Sequence, residues 1–147
     1  MATVELRFSA LPEHVRTARL VAAAVARRAG VDEAVLDEVR LAVGEACSRA
    51  VGMHESHGIS APVRVVLVED ETEKKFSIEV GDEVPGSGGA AAGGAPAEGG
   101  GESDAEGEDE MGLAVISGLV DDVEVSSGEN GGWIRMSWPA HPTPVLP

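Results

Sequence analysis

Hydrophobic and polar positions in the first thirty residues change period once. The opening segment TVELRFSAL alternates strictly, with Val4, Leu6 and Phe8 on one face and polar residues between them. A period of two is typical of a half-buried strand. After Pro12 the apolar residues recur at helical spacing until Gly30, a residue suited to a helix C-cap. The pattern therefore predicts one strand followed by an amphipathic helix.

A second, longer helical pattern begins after Asp32, whose side chain is suited to cap it, and runs to about His54. Its apolar positions are Leu36, Val39, Leu41, Ala42, Ala46, Cys47 and Ala50. We interpret Cys47 as buried packing because it lies in this apolar phase. We interpret His54 and His57 as surface residues, since their spacing does not bring them together on one helical face.

The remaining ordered segments predict strands and one short helix. The alternating segments VRVVLVED and KKFSIEV indicate a β-hairpin around the acidic turn EDETEK. MGLAVISGLVDDVEV predicts a short helix running into a strand, and WIRMSW predicts a last strand after the turn GENGG. The resulting order predicts an α+β fold, a two-layer sandwich with helices on one face of a mostly antiparallel sheet.

We expect residues 1–147 to form a single domain that is interrupted at 86–110 and ends in an irregular, proline-rich tail at 139–147. Residues 86–110 consist of Gly, Ala, Pro, Ser and acidic residues, without an aromatic or β-branched side chain. Such a segment cannot bury enough apolar surface to offset its ordering entropy. The sequence therefore predicts a mobile, acidic lid or linker.

The distribution of charge along the chain limits the classes of partner that it is expected to bind. Of the formal net charge of −15, most lies in residues 76–134, which contain 14 acidic residues and no Lys or Arg. Such a surface repels a phosphate backbone, which argues against direct nucleic-acid binding and favours protein partners. A single cysteine and the lack of any apolar run of membrane-spanning length predict a cytoplasmic protein that does not bind membranes.

Three segments carry a resemblance to a known family. LDEVRLAVGEACSRAV resembles the N-box, with the core E-A-x-x-N-A; EVGDEVPG resembles the first glycine box, D-x-G-x-G; EMGLAVISGLVDDVEV resembles the second, G-x-G-L-x-x-I. From Val4 to Trp138 the chain is similar to the GHKL ATPases, which have the histidine-kinase-type Bergerat fold. Among these it resembles the anti-sigma-factor serine kinases, which regulate transcription by partner switching.

The resemblance implies a nucleotide site and assigns roles in it. Glu45 matches the general base that accepts the proton of a partner's serine hydroxyl. Asp82 matches the residue that accepts a hydrogen bond from the adenine amino group of ATP. Gly86 and Gly112 match glycines that let the backbone approach the nucleotide. Arg49 stands in the cofactor-binding N-box at the position of the family's magnesium-binding Asn.

Several departures from the family pattern argue against a working site. A guanidinium has only donors and a permanent positive charge, whereas Mg²⁺ requires oxygen ligands, so Arg49 leaves no metal ligand at that position. Val84 and Glu110 replace glycines of the two glycine boxes. The acidic lid adds repulsion toward phosphate groups. We therefore expect an anti-sigma-factor-like regulatory protein with weak or lost ATP and magnesium binding, whose partners are a STAS-type antagonist, a sigma factor, or both.

Alternative readings remain open from the sequence alone. The chain would be an active protein serine kinase if Glu45 still served as base. Arg49 would rescue ATP binding if it contacted the triphosphate directly in place of the metal. Glu45 and Arg49 would simply form an intrahelical ion pair if the site were vestigial. A third hypothesis, from another functional class, is that the chain binds a metabolic small molecule in the same cleft. The family resemblance also implies a homodimer.

Overall fold

The computed structural model describes residues 2–85, 114–120 and 122–141. The strands are β1 (Ala2–Phe8), β2 (Val63–Asp70), β3 (Lys75–Asp82), β4 (Asp122–Gly128) and β5 (Gly131–Pro139). The α-helices are α1 (Val15–Ala29), α2 (Leu36–Ser56) and the short α3 (114–119). Short 3₁₀ turns at Pro12–His14 and Glu33–Val35 precede α1 and α2. This order confirms the predicted α+β fold.

The sheet has five strands in the spatial order β1-β2-β3-β5-β4, and every neighbouring pair is antiparallel. The last strand therefore lies between β3 and β4, so that β3 is central. Ile78 of β3 is paired with Met136 of β5, and Asp82 at the end of β3 is paired with Gly132. The C-terminal hairpin thus contacts the strand that carries the predicted adenine-binding residue.

The two long helices pack on each other and cover one face of the sheet. Phe76, Ile78 and Met136 are fully buried and belong to the same apolar cluster as Val39 and Val43 of α2. The opposite face of the sheet carries charged side chains beside a few apolar ones. There Arg135 pairs with Glu79 at 2.9 Å and lies 4.6 Å from the ring centre of Trp133. The molecule is therefore the two-layer sandwich that the sequence predicts.

The junction between α1 and α2 follows from the residues predicted to cap them. Gly30 adopts a left-handed φ of 97°, and its N–H donates to the Arg27 carbonyl at 3.1 Å. The Val31 N–H donates to the Ala26 carbonyl at 3.0 Å, which completes a Schellman motif. The Asp32 carboxylate accepts the Ala34 N–H at 2.9 Å and caps the turn that leads into α2.

One detail of the helix pattern differs from the sequence expectations. Leu41 is 53% exposed, because it lies about 200° around the helix from Val39 and not on the apolar stripe. At the start of the predicted tail, Pro139 ends β5, and the N–H groups of Ala140 and His141 donate to the Lys74 and Gly30 carbonyls. The predicted lid (86–110) and the end of the tail (142–147) lie outside the described residues. No helix of the described ranges is long and apolar enough to cross a membrane.

Candidate functional site

Helix α2 carries two of the predicted site residues one turn apart. Glu45 is half-buried, whereas Arg49 is only 8% exposed. A separation of four residues corresponds to about 6 Å along a helix axis. The structure therefore places a permanent positive charge next to the candidate base, at the position where the family pattern has a neutral oxygen ligand.

Asp82 is the last residue of β3 and is 8% exposed. Its Oδ1 accepts the backbone N–H of Val84 at 2.8 Å, so the carboxylate folds back over the turn that follows the strand. This bond across two residues is an Asx-type turn, which fixes both the backbone and the side-chain torsion of the aspartate. A buried acceptor with a defined direction is thus present at the predicted base-recognition position.

The valine in the first glycine box does not strain the backbone. Among described residues other than glycine, Lys74 alone has a positive φ, so Val84 adopts a conformation open to any residue. Its side chain is 3% exposed and packs into the interior. Val84 therefore causes no backbone strain in this turn, although it stands where the family pattern has a glycine.

His54 is buried, which corrects the surface position expected for it. The side chain is fully buried, and its Nδ1 lies 3.0 Å from the Ala61 carbonyl. Its Nε2 accepts the backbone N–H of Glu83 at 3.0 Å. An imidazole nitrogen that accepts an N–H cannot also carry a proton, so the ring is the neutral tautomer with Nδ1–H donating to Ala61. His57 is exposed, as expected.

The helical pattern contained a signal for His54. This residue lies four positions after Ala50 and seven after Cys47, so it continues the buried stripe of α2. The apolar stripe extends one turn beyond Ala50, and it is easily missed there because a polar residue near a helix end resembles the start of a loop. A histidine bonded through both nitrogens carries no uncompensated polar group into the core.

Gly131 is a second site-shaping residue that the sequence analysis did not identify. It has a φ of +132°, and a Cβ built on it would lie 2.0 Å from the Asp82 carbonyl oxygen. Only glycine lets the β4–β5 turn approach the end of β3 this closely. The segment GENGG indicated a turn, but it did not show that the turn would contact Asp82.

Among the described residues, neither a reactive thiol nor a cluster of metal-binding side chains is found near the site. Burial raises the pKa of the Cys47 thiol from 9.0 to about 12, so this residue stays a neutral packing group. Within the described ranges, no group of three or more His, Cys, Asp or Glu residues is arranged to hold a metal ion. Gly86, Gly112 and Glu110 lie outside the described residues.

Helix α1 contributes a cation beside α2. Arg16 and Arg19 are both exposed on this helix. A Cβ built on Gly44 would meet the Cδ of Arg19 at 3.0 Å, so the arginine stem crosses α2 directly over this glycine. Because Gly44 has no side chain, the Arg19 side chain of α1 can lie over α2 at the residue directly before Glu45.

Comparison with known families matches residues 8–138 to the histidine kinase-like ATPase domain. The chain belongs to this family. Its strand order and its helix-covered sheet are consistent with the ATPase fold that the motifs predicted. Glu45, Arg49, Asp82 and His54 all lie within the matched range, and so does the turn at Gly131.

The histidine kinase-like ATPase domain also has relatives among solved structures. It is similar to the RsbU and RsbW domains of Rv1364c from Mycobacterium tuberculosis, with 17% sequence identity and a TM-score of 0.65. The match covers 95% of this chain but only 33% of that longer protein. At this identity the likeness establishes the fold. No curated protein matches the chain.

Proposed function

We propose that this histidine kinase-like ATPase domain is an anti-sigma-factor-like regulator that uses its fold as a docking platform and binds Mg-ATP weakly or not at all. The observation that carries the proposal is Arg49, 8% exposed on α2 at the position of the magnesium-binding Asn. In this proposal Asp82 still accepts a hydrogen bond from adenine, but the chain no longer binds a triphosphate through magnesium.

The chemistry of the Arg49 side chain argues against magnesium at this position. Mg²⁺ takes about six oxygen ligands in near-octahedral geometry, and a guanidinium offers five N–H donors and no acceptor. Two like unit charges 4 Å apart near a protein surface repel by up to about 4 kcal/mol, and a divalent ion increases this repulsion. The side chain of Arg49 therefore does not suit the family's metal, which supports the proposed loss of magnesium binding.

The docking part of the proposal rests on the exposed faces of the two helices. Arg16 and Arg19 lie three residues apart and share one face of α1, and the Arg19 side chain extends over Gly44 toward α2. Leu20 and Leu41 are 60% and 53% exposed on α1 and α2. Exposed cations and exposed leucines on two helices that pack together favour a protein partner with an acidic, partly apolar surface. A STAS-type antagonist or a sigma factor is the partner that the family motifs suggest.

Calorimetric titration with ATP, with and without Mg²⁺, tests the metal part of the proposal. We expect the wild type to show no magnesium-dependent increase in affinity. Arg49→Asn supplies an oxygen ligand and removes the charge, so it should strengthen Mg-ATP binding at least tenfold. Arg49→Ala is the matched control, because it removes the charge without adding a ligand.

The possible outcomes of this titration separate the alternatives. Micromolar, magnesium-dependent binding by the wild type would contradict the proposal. ATP binding that needs no magnesium and is lost in Arg49→Ala would instead support direct contact of Arg49 with the triphosphate.

An active serine kinase is the second candidate function. The observation that favours it is Glu45, which is only half-buried on α2 and stands at the position of the family's base. A carboxylate suits the abstraction of a proton from a serine hydroxyl. As a kinase the chain would phosphorylate the antagonist, whereas under the leading proposal it only binds the antagonist.

A further inference from the structure

His54 connects three segments that are distant in the sequence. It is carried by the last turns of α2, its Nδ1–H donates to Ala61 in the α2–β2 connection, and its Nε2 accepts the Glu83 N–H after β3. Glu83 is 29 residues further along the chain. A single buried ring therefore links the helix of Glu45 and Arg49 to the turn of Asp82.

The Glu83 N–H belongs to the peptide plane that directly follows the Asp82 Cα. By accepting this N–H, His54 fixes the orientation of that plane and so the ψ angle of Asp82. The Val84 N–H, bonded to Asp82 Oδ1 at 2.8 Å, fixes the direction of the carboxylate. Gly131 allows the adjoining turn to lie against the Asp82 carbonyl from the other side. The orientation of Asp82 thus depends on His54 through one defined hydrogen bond.

We infer that His54 is a positioning residue for base recognition: its Nε2 holds the 82–84 turn so that the Asp82 carboxylate discriminates adenine from guanine. The inference rests on the proposed function, in which Asp82 is a retained acceptor for the adenine amino group. Guanine has a carbonyl oxygen where adenine has this amino group, and a carboxylate repels it. Discrimination of this kind requires the acceptor to be fixed in direction.

A purely structural role for His54 leads to a different expectation. A buried histidine that only satisfies the core would lower stability when replaced, but it would not change the ratio of affinities for two bases. The two ring nitrogens allow a sharp test, because Asn and Gln each reproduce one of them. The Asn amide reaches the Nδ1 position and keeps the bond to Ala61, whereas the Gln amide reaches the Nε2 position and keeps an acceptor for Glu83.

The experiment is an NMR titration of the full chain with adenosine and with guanosine, in EDTA. Nucleosides without phosphate or metal separate base recognition from the magnesium question. We expect the wild type to prefer adenosine by at least tenfold. The preference should fall at least fivefold in His54→Asn and persist within twofold in His54→Gln. His57→Asn is the control, because the Nδ1 of His57 bonds Met53 within its own helix end.

The Glu83 amide resonance reports directly on the bond that is tested. It should move strongly in His54→Asn and little in His54→Gln, whatever the stability of either variant. Equal loss or equal retention of the preference in the two variants would overturn the inference. A wild type without a preference for adenosine would also overturn it. Tight Mg-ATP binding would instead overturn the proposed function and leave the His54 result to stand separately.

Discussion

A single thiol shows how burial alone sets the chemistry of a residue. Cys47 lies two positions from Glu45 but faces the core, and burial raises its pKa to about 12. In the unfolded chain the thiol ionises near its ordinary value of 9.0. Between these two values the unfolded state loses a proton that the folded state keeps, so stability falls as pH rises.

We therefore predict a steeper loss of the free energy of unfolding above pH 9.0 in the wild type than in Cys47→Ala. The difference in slope should approach about 1.4 kcal/mol per pH unit. Urea denaturation at several alkaline pH values measures it. Slopes are compared because alanine also removes packing atoms at every pH. Parallel slopes would show that the thiol ionises equally in both states.

At the scale of single residues, the sequence predicts which side chains are buried better than it predicts which groups those side chains contact. The burial of Cys47 and the exposure of Arg16 and Arg19 follow from helical phase. The burial of His54 continues the same helical phase, but its hydrogen-bond partner at Nε2, the Glu83 N–H, is brought near only by the folded chain. A hydrogen bond to a backbone group far along the chain has no signal in the residues that neighbour the side chain in sequence.

The hairpin of β4 and β5 is an element whose turn has a tertiary role. Gly131 has a φ of +132°, and a Cβ there would lie 2.0 Å from the Asp82 carbonyl oxygen. We predict that Gly131→Ala costs at least about 1–3 kcal/mol, the usual cost of a strained backbone conformation, and more if the turn must move. The midpoint of urea denaturation measures this change.

Gly128→Ala is the matched substitution in the same turn. A Cβ there would be 3.7 Å from the Gly131 carbonyl oxygen, an ordinary contact distance, and its φ is not positive. This variant should keep the wild-type midpoint within the equivalent of about 0.5 kcal/mol. Equal effects of the two substitutions would show that the close approach at Asp82 carries no energetic weight.

Elements and their ends were predictable where a local signal decides them. Gly30 and Asp32 terminate and initiate helices through bonds to neighbours within a few residues. The pairing of β5 with β3 depends instead on residues about sixty positions apart. Local periodicity identifies the strands but gives no strand order, which only the structure shows.

For the molecule as a whole, the question is whether the fold serves docking or catalysis. We predict that Arg16→Glu and Arg19→Glu weaken the complex with a STAS-type antagonist at least tenfold, because charge reversal removes steering and contacts at the rim. Arg28→Glu is the control, since Arg28 is exposed near the other end of α1 and changes the net charge equally. Pull-down with the purified antagonist measures the complex.

The same antagonist serves for a phosphorylation assay with Glu45→Ala. Under the docking proposal this substitution leaves the complex unchanged, because alanine also favours a helix. Phosphate transfer by the wild type that disappears in Glu45→Ala would instead establish the kinase reading.

The place of β5 in the sheet has a consequence for synthesis on the ribosome. Because β5 fills the gap between β3 and β4, a nascent chain that has emerged only as far as residue 130 holds β1, β2 and β3 with the edge of β3 unpaired. Phe76, Ile78 and Val80 then lack their final neighbours. An unpaired edge with apolar side chains is a site for pairing with other chains. The chain must therefore have emerged as far as residue 139 before the central strand is protected. Chains that stall earlier are bound by chaperones or aggregate.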